Sequence, residues 1–246
     1  MQTAELHLPF IDRKDAGMQL ASQLAAWKSY PAAVVLALPR GGVPVAWEVA
    51  QALALPLDIL VVRKIGFPGS PELAAGAIAS GGATVINPEI AALLPRPAEQ
   101  LAAVIAHEKI ELERREALYR GDRPPLDLKQ KTVILIDDGL ATGATMRAAV
   151  QAVRKLGAAR CIAAAPVGSS SACESLRQDA DEVVCAHLPL HFQSVGRYYQ
   201  DFSQTTDAEV RELLSTRPAL VTAGPQRPLN PSTPDTSRGQ AAARDR

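Results

Sequence analysis

No apolar run in the chain approaches the roughly 20 residues that a helix needs to cross a bilayer. The opening Met1-Gln-Thr-Ala-Glu-Leu-His7 lacks a basic segment followed by an apolar one. No membrane partner is expected, and the expected location is cytoplasmic. Charge of one sign is missing as well: 26 Lys plus Arg balance 26 Asp plus Glu. With no bulk field to attract nucleic acid, any anion site has to be local. The three cysteines, Cys161, Cys173 and Cys185, show no Cys-x-x-Cys spacing, which argues against a disulfide framework or a zinc knuckle and leaves them as core-filling thiols. Pro189, between His187 and His191, breaks the helix that would align those two histidines on a metal. The Gly-x-x-x-x-Gly-Lys-Ser/Thr signature of nucleotide hydrolases is also absent, because no lysine follows Gly143.

At 246 residues and 47% hydrophobic content, the chain can bury a substantial core in one domain. That domain is expected over 1–215. From about Thr216 the composition changes to scattered prolines (Pro218, Pro225, Pro228, Pro231, Pro234) among Ser, Thr, Gly and Gln, so 216–246 is expected to be a disordered Pro-rich tail.

The chain is organised around Lys131-Thr-Val-Ile-Leu-Ile-Asp-Asp-Gly-Leu-Ala-Thr-Gly-Ala-Thr-Met146. Val133 to Ile136 is too uniformly apolar for a half-exposed strand, which predicts a central parallel strand covered on both faces. Asp137 and Asp138 end it. Thr142 is placed to cap a following helix whose apolar positions Met146, Ala149, Val150 and Val153 have helical spacing. Gly139, Gly143 and the small residues between them let backbone N–H groups converge on an anion where the helix dipole also favours negative charge. The carboxylates would repel that anion, and suit hydroxyl donors or a hard cation such as Mg²⁺. A phosphorylated sugar supplies both needs. The competing view is a polar turn ending a buried strand, which leaves the small residues, threonines and helix start in register unexplained.

The stretch resembles the phosphoribosyl-pyrophosphate (PRPP) motif of type I phosphoribosyltransferases. The resemblance implies that family's α/β fold: an open, mainly parallel sheet of about five strands flanked by helices, with a core near 30–187 and a small hood from 1–14 and 188–204. It implies that Asp137 and Asp138 hold the ribose hydroxyls and Mg²⁺, and that Gly139, Leu140, Ala141, Thr142, Gly143, Ala144 and Thr145 hold the 5′-phosphate. The activity implied is pentosyl transfer, moving 5-phosphoribosyl from PRPP to a nitrogenous base with release of pyrophosphate. A regulator that senses PRPP or a nucleotide on the same fold is the alternative.

A second loop follows the same logic. Ala33 to Leu38 is fully apolar and leads into Pro39-Arg-Gly-Gly-Val-Pro44, which again exposes amides at a helix start. The resemblance suggests that Arg40 and Gly41 contact pyrophosphate; a plain strand-to-helix turn would use the same glycines. A third apolar strand is predicted over Leu57–Val62. It ends in Arg63-Lys64 and a Gly- and Pro-rich segment, 65–76, expected to be a mobile loop. In the resemblance this is the flexible catalytic loop, which makes Arg63 and Lys64 catalytic candidates and Glu72 a weaker one. Solvated strand-end charges are the alternative. A helix from Asp15 through Lys28, a return strand over Ala83–Ile86 and a long helix over Pro97–Arg120 complete the early half. The acidic and basic outer face of the long helix is explained by its own ion pairs. A homodimer is expected, with the Arg114–Gly121 end of that helix able to reach a partner or the site.

Two further strands are predicted, Arg160–Val167 and Glu182–Cys185. The aromatics, only 4% of the chain, gather in Leu188–Phe202. Phe192, Tyr198 and Tyr199 are candidates to stack on a base, with plugging of the core edge favoured for Tyr198, Tyr199 and Phe202. One departure narrows the chemistry. Family members acting on 6-oxopurines usually carry an aspartate three residues after the second acid, and this chain has Ala141 there.

Overall fold

The computed structural model describes residues 9–216, without the side chains of residues 71 and 72. Residues 1–8 of the expected hood, the tail from 217 onward and the Glu72 side chain lie outside the described residues. In order, the chain forms α1 (Arg13–Gln23), β1 (Ala33–Ala37), α2 (Gly42–Leu53), β2 (Leu57–Ile59), β3 (Val62–Phe67), β4 (Ser70–Ala79), β5 (Ala83–Ile86), α3 (Pro88–Ala91) and α4 (Pro97–Arg120). It continues with β6 (Thr132–Ile136), α5 (Ala144–Lys155), β7 (Arg160–Val167), α6 (Ser170–Leu176), β8 (Glu182–His187) and α7 (Asp207–Ser215).

Five of the strands read from the sequence form one parallel sheet, ordered β2-β1-β6-β7-β8. The full burial of the central β1 and β6 follows from helices on both faces. Val35, Ala37, Ile134 and Ile136 face α1, α2, α4 and α7. The alternate residues Val34, Leu36, Val133 and Leu135 face α5 and α6. The strand expected over Leu57–Val62 is shorter than predicted: β2 ends at Ile59, and Val62 already belongs to β3.

The segment expected to be a mobile loop, 65–76, is instead most of a hairpin. β3 and β4 pair antiparallel, and β5 completes a separate three-stranded sheet. Pro68 and Gly69 make the turn, and register shifts on either side of Gly66 break the two-residue alternation that would have marked a strand. At the N-terminus the cap is Asp12, whose side chain accepts from the Asp15 amide at 2.8 Å, so the helix starts two residues before the expected cap and ends at Gln23. α7 was not anticipated, although Thr206 and Glu209 form a capping box that the spacing Thr-x-x-Glu announces.

α7 bears on the site because of what fixes it. Asp58, buried in β2, takes Arg120 Nε and Nη2 at 3.1 Å each. Arg123 approaches the same carboxylate at 3.8 Å and donates to the Leu214 carbonyl in α7. One buried carboxylate thus ties β2, the end of α4 and α7 together. Removing one partner of such a network strands the other charges out of water. Asp58→Ala should cost about 3 kcal/mol of unfolding free energy, read as a lower urea midpoint; a loss within error of zero would show that the two arginines are solvated without Asp58.

Candidate functional site

The sheet order dictates where a crevice opens. β1 passes through α2 to β2 on one side, whereas β6 passes through α5 to β7 on the other. The chain therefore leaves adjacent strands in opposite directions, and ligands of open α/β sheets bind beyond the strand ends at that switch point. β1 and β6 also end level, with Ala37 opposite Ile136. Both loops singled out in the sequence, Pro39–Gly41 and Asp137–Gly143, emerge there side by side.

They meet at contact distance. A Cβ on Gly41 would lie 2.0 Å from Asp138 Oδ2, and one on Gly42 would lie 2.6 Å from the Ile136 carbonyl oxygen. The two glycines are therefore needed for backbone to pass backbone and carboxylate. The Pro39–Arg40 peptide is cis. Asp137 Oδ1 accepts from the Asp138 amide at 2.9 Å.

Asp138 Oδ2 is held from elsewhere, by Arg13 Nε at 2.9 Å and Nη2 at 2.8 Å. Arg13 also donates from Nη1 to the Ser203 carbonyl at 2.6 Å and lies 4.0 Å above the Phe202 ring centroid. Burial pushes both carboxyls above the usual carboxylate range; the neighbouring Asp138 charge adds to this at Asp137, and Arg13 opposes it at both. Sequence reasoning missed Arg13. Its only local mark is its place just after the Asp12 cap, and nothing in the pattern links it to a carboxylate 125 residues away.

The anion loop is supported from β7. Leu140 N–H donates to the Val167 carbonyl and the Ser169 amide donates to the Leu140 carbonyl, each at 2.9 Å. The Ser169 hydroxyl donates to the Ala141 carbonyl at 2.8 Å. Leu140 is buried, whereas Ala141, Thr142, Ala144 and Thr145 are exposed. The helix cap falls to Gly143 at φ +72°, a conformation that favours glycine, in place of the expected Thr142. The Thr142 hydroxyl still accepts from the Ala144 amide at 3.4 Å. Beyond Gly143 the first turn of α5 presents amides that the helix itself leaves unpaired.

The other candidates are placed differently. Arg40 faces Asp207 at the start of α7, 3.5 Å away, and Asp207 also accepts from the Tyr119 hydroxyl at 2.6 Å. That hydrogen bond and Arg40 hold the Asp207 carboxyl below its ordinary range. Arg63 is paired with Glu108 of α4, with Nε at 2.8 Å and Nη2 at 2.7 Å. Arg63 and the exposed Lys64 line a cleft with Phe67, Pro68 and Val104 that contains none of residues 137–145. The structure thus brings Arg40, Gly41 and the acid–loop stretch together but sets Arg63 and Lys64 apart on the hairpin.

Segments 9–14 and 188–204 meet through a Phe10–Tyr199 bridge and a ring cluster. Tyr199 is buried against Phe10 and Phe202, as the edge-plugging view expects, and its hydroxyl donates to the Asp138 carbonyl at 2.6 Å. Phe192 stacks on Tyr198, with centroids 5.7 Å apart. It borders a shallow cavity with Ala141, Thr142, Ser169, Ser171 and Leu190. Among the described residues no cluster of three or more His, Cys, Asp or Glu could hold a metal. Asp137 and Asp138 offer a two-carboxylate, all-oxygen set, which suits Mg²⁺ when the rest of its shell comes from water and phosphates.

An acid pair ends the central strand, with a helix-start loop of small residues behind it and a Gly-Gly loop alongside. The chain belongs to the phosphoribosyl transferase domain family, whose model matches residues 11–201. It is 47% identical over 201 residues to the Mycobacterium tuberculosis protein Rv0571c, whose own designation as a phosphoribosyl transferase is provisional. That match covers 82% of this chain and 45% of Rv0571c, so the chain spans about half the length of the curated relatives it matches. The crystal structure of TT1426 from Thermus thermophilus superposes with a TM-score of 0.77 at 43% identity, covering 85% of this chain and 98% of that one.

The buried Arg13–Asp138 pair is testable as a pair. Arg13→Gln should cost about 1–3 kcal/mol by leaving the carboxylate unmatched. Adding Asp138→Asn should recover part of that loss, giving a coupling of about 1 kcal/mol in a double-mutant cycle of urea unfolding. Strict additivity would mean that the two side chains do not depend on each other.

Proposed function

We propose that this protein is a phosphoribosyltransferase that moves the 5-phosphoribosyl group of PRPP to the nitrogen of a base, or runs the reverse reaction, with release of pyrophosphate. The observation that carries this reading is the meeting of two anion-binding loops on either side of one acid pair. That spacing suits a sugar with a phosphate at one end and a pyrophosphate at the other. In the reading, the amides of 141–145 hold the 5′-phosphate at the α5 dipole, and Asp137 and Asp138 orient the ribose hydroxyls. Arg40 and the Gly41 backbone receive the pyrophosphate, with Arg40 exchanging Asp207 for phosphate oxygens. Mg²⁺ held by Asp137 and Asp138 would neutralise charge on the leaving pyrophosphate.

The chemistry at C1 is displacement of pyrophosphate by the base nitrogen. The C1–O bond breaks as the C1–N bond forms, and the pair from the broken bond leaves on the pyrophosphate oxygen. The protein supplies position and charge stabilisation rather than a covalent group. Arg63 and Lys64 join the leaving-group side only in a closed arrangement of the β3–β4 hairpin, with Arg63 released from Glu108. Ala141 offers no carboxylate to exchange a proton with a 6-oxopurine, so an adenine-like acceptor suits the site better than hypoxanthine or guanine.

Incubation with PRPP, Mg²⁺ and a panel of bases should release pyrophosphate with at least one of them, purines lacking the 6-oxo group foremost. Asp137→Asn with Asp138→Asn should keep the helical circular-dichroism spectrum and lose Mg²⁺-dependent PRPP binding by calorimetry. Binding without release from any base would replace the transferase by a PRPP-sensing protein on the same fold. Absence of binding would remove both.

A further inference from the structure

The three thiols read from the sequence as isolated core fillers are not all isolated. Cys173, on α6, and Cys185, on β8, come together across Gly168, the residue that links β7 to α6. A Cβ on Gly168 would lie 2.7 Å from Cys173 Sγ and 3.0 Å from Cys185 Sγ. Both sulfurs therefore crowd one point of the backbone. Each thiol also shifts the other's titration, Cys173 downward and Cys185 upward. Cys161 takes no part in that contact; it is buried within β7, and desolvation raises its thiol to about 12.

We propose that Cys173 and Cys185 are an oxidation-sensitive pair that closes to an intramolecular disulfide in the folded protein, and that closure loosens the loop at 140–143. The reaction with a peroxide balances in two steps. The Cys173 sulfur attacks the O–O bond of hydrogen peroxide and becomes a sulfenic acid, releasing one water with the thiol's proton. The Cys185 sulfur then attacks that sulfur; the S–O bond breaks, the S–S bond forms and a second water leaves. Two thiols and one peroxide give one disulfide and two waters, and a small thiol reverses it by exchange.

Two features suit the pair to this. Cys185 is half-buried, so a molecule the size of peroxide has a route to the contact, whereas Cys173 is 1% exposed. The Cys185 thiol and the nearby Arg177 favour the thiolate of Cys173, lowering it from its ordinary range and making it the better nucleophile.

The consequence for the loop follows from position. A bond of about 2.05 Å is far shorter than any contact between two non-bonded sulfurs, and both cysteines are free, so α6 or β8 has to shift toward the other. Gly168 faces both sulfurs so closely that neither leaves room for a Cβ there. Its neighbours are the groups that support the loop: the Val167 carbonyl receives Leu140, and Ser169 donates to the Leu140 and Ala141 carbonyls. Gly168 itself forms a parallel bridge with Leu140. The disulfide does not depend on the transferase reading; its effect on PRPP does.

The full chain, folded and reduced, is treated with hydrogen peroxide and digested without reductant. The expected product is a peptide pair joining residue 173 to residue 185, lighter by two hydrogens and restored by dithiothreitol. Cys161→Ser should leave it unchanged, while Cys173→Ser and Cys185→Ser should each abolish it. Sulfinic acid without a cross-link, a link between chains, or a link formed only in urea would overturn the proposal, and these readouts on the unsubstituted chain stand even if a serine variant fails to fold. Calorimetry with PRPP and Mg²⁺ on the oxidised protein should show affinity weaker by about threefold or more. Equal affinity in the two states would overturn the coupling to the loop, and an absence of PRPP binding in the reduced state would instead count against the transferase reading.

Discussion

A carboxylate pair drawn half out of water at the end of a buried strand needs a counter-charge, and much of the surrounding structure serves the one that is present. Arg13 lies on α1, and α1 can bring it to Asp138 only by packing closely on α2. Gly17 makes that approach: a Cβ there would lie 2.7 Å from the Val45 carbonyl oxygen. From the other side the guanidinium is covered by Phe202 and bonded to the Ser203 carbonyl. The ion pair thus joins the N-terminal helix, the central strand and the late aromatic segment at one carboxylate oxygen.

That arrangement makes the two acids unequal. Asp138 has one oxygen committed to a fixed cation, whereas Asp137 spends Oδ1 on the backbone of its neighbour. A ligand entering the crevice meets a pair whose net charge is already partly balanced, which limits the self-repulsion that burial would otherwise magnify. The same logic appears at the second loop, where Arg40 is matched by Asp207 and Asp207 by the Tyr119 hydroxyl. Arg13 and Arg40 thus each have an internal carboxylate partner, so neither stands in the crevice as a bare charge.

The parallel core and the two loops were legible because they rest on short-range rules. A strand buried on both faces must be uniformly apolar, and a helix start that receives an anion must be built from small residues, so 33–38, 133–143 and 160–167 each declare themselves. The hairpin 62–79 was not legible, because its glycines and prolines serve a turn and bulges that erase the alternation, and in a single sequence those residues look the same in a loop. Arg13 and Asp207 were hidden for another reason. Their partners lie 125 and 167 residues away in the chain, and no local pattern encodes which arginine will reach which carboxylate. The pairing of Cys173 with Cys185 was missed in the same way: a helix and a strand place together two sulfurs whose spacing matches no motif.

The division between what supports the loop and what remains free on it has a chemical meaning. Leu140 is buried and its amide and carbonyl are both consumed by β7 and Ser169, so it anchors the loop and cannot itself bind a ligand through them. The run from Ala141 to Thr145, exposed except at Gly143, is the rest of the loop, held at one end by that anchor and at the other by α5. Ala141 lies at the junction. Its carbonyl is tied to Ser169, and its methyl group borders the cavity shared with Phe192 and Leu190. A residue fixed by its backbone and presenting only a methyl group can shape the wall of that cavity but cannot take or give a proton there. A fixed backbone and a bare methyl group therefore leave the rest of that wall to the segment that follows β8, which brings Leu190 and the ring of Phe192 to the cavity.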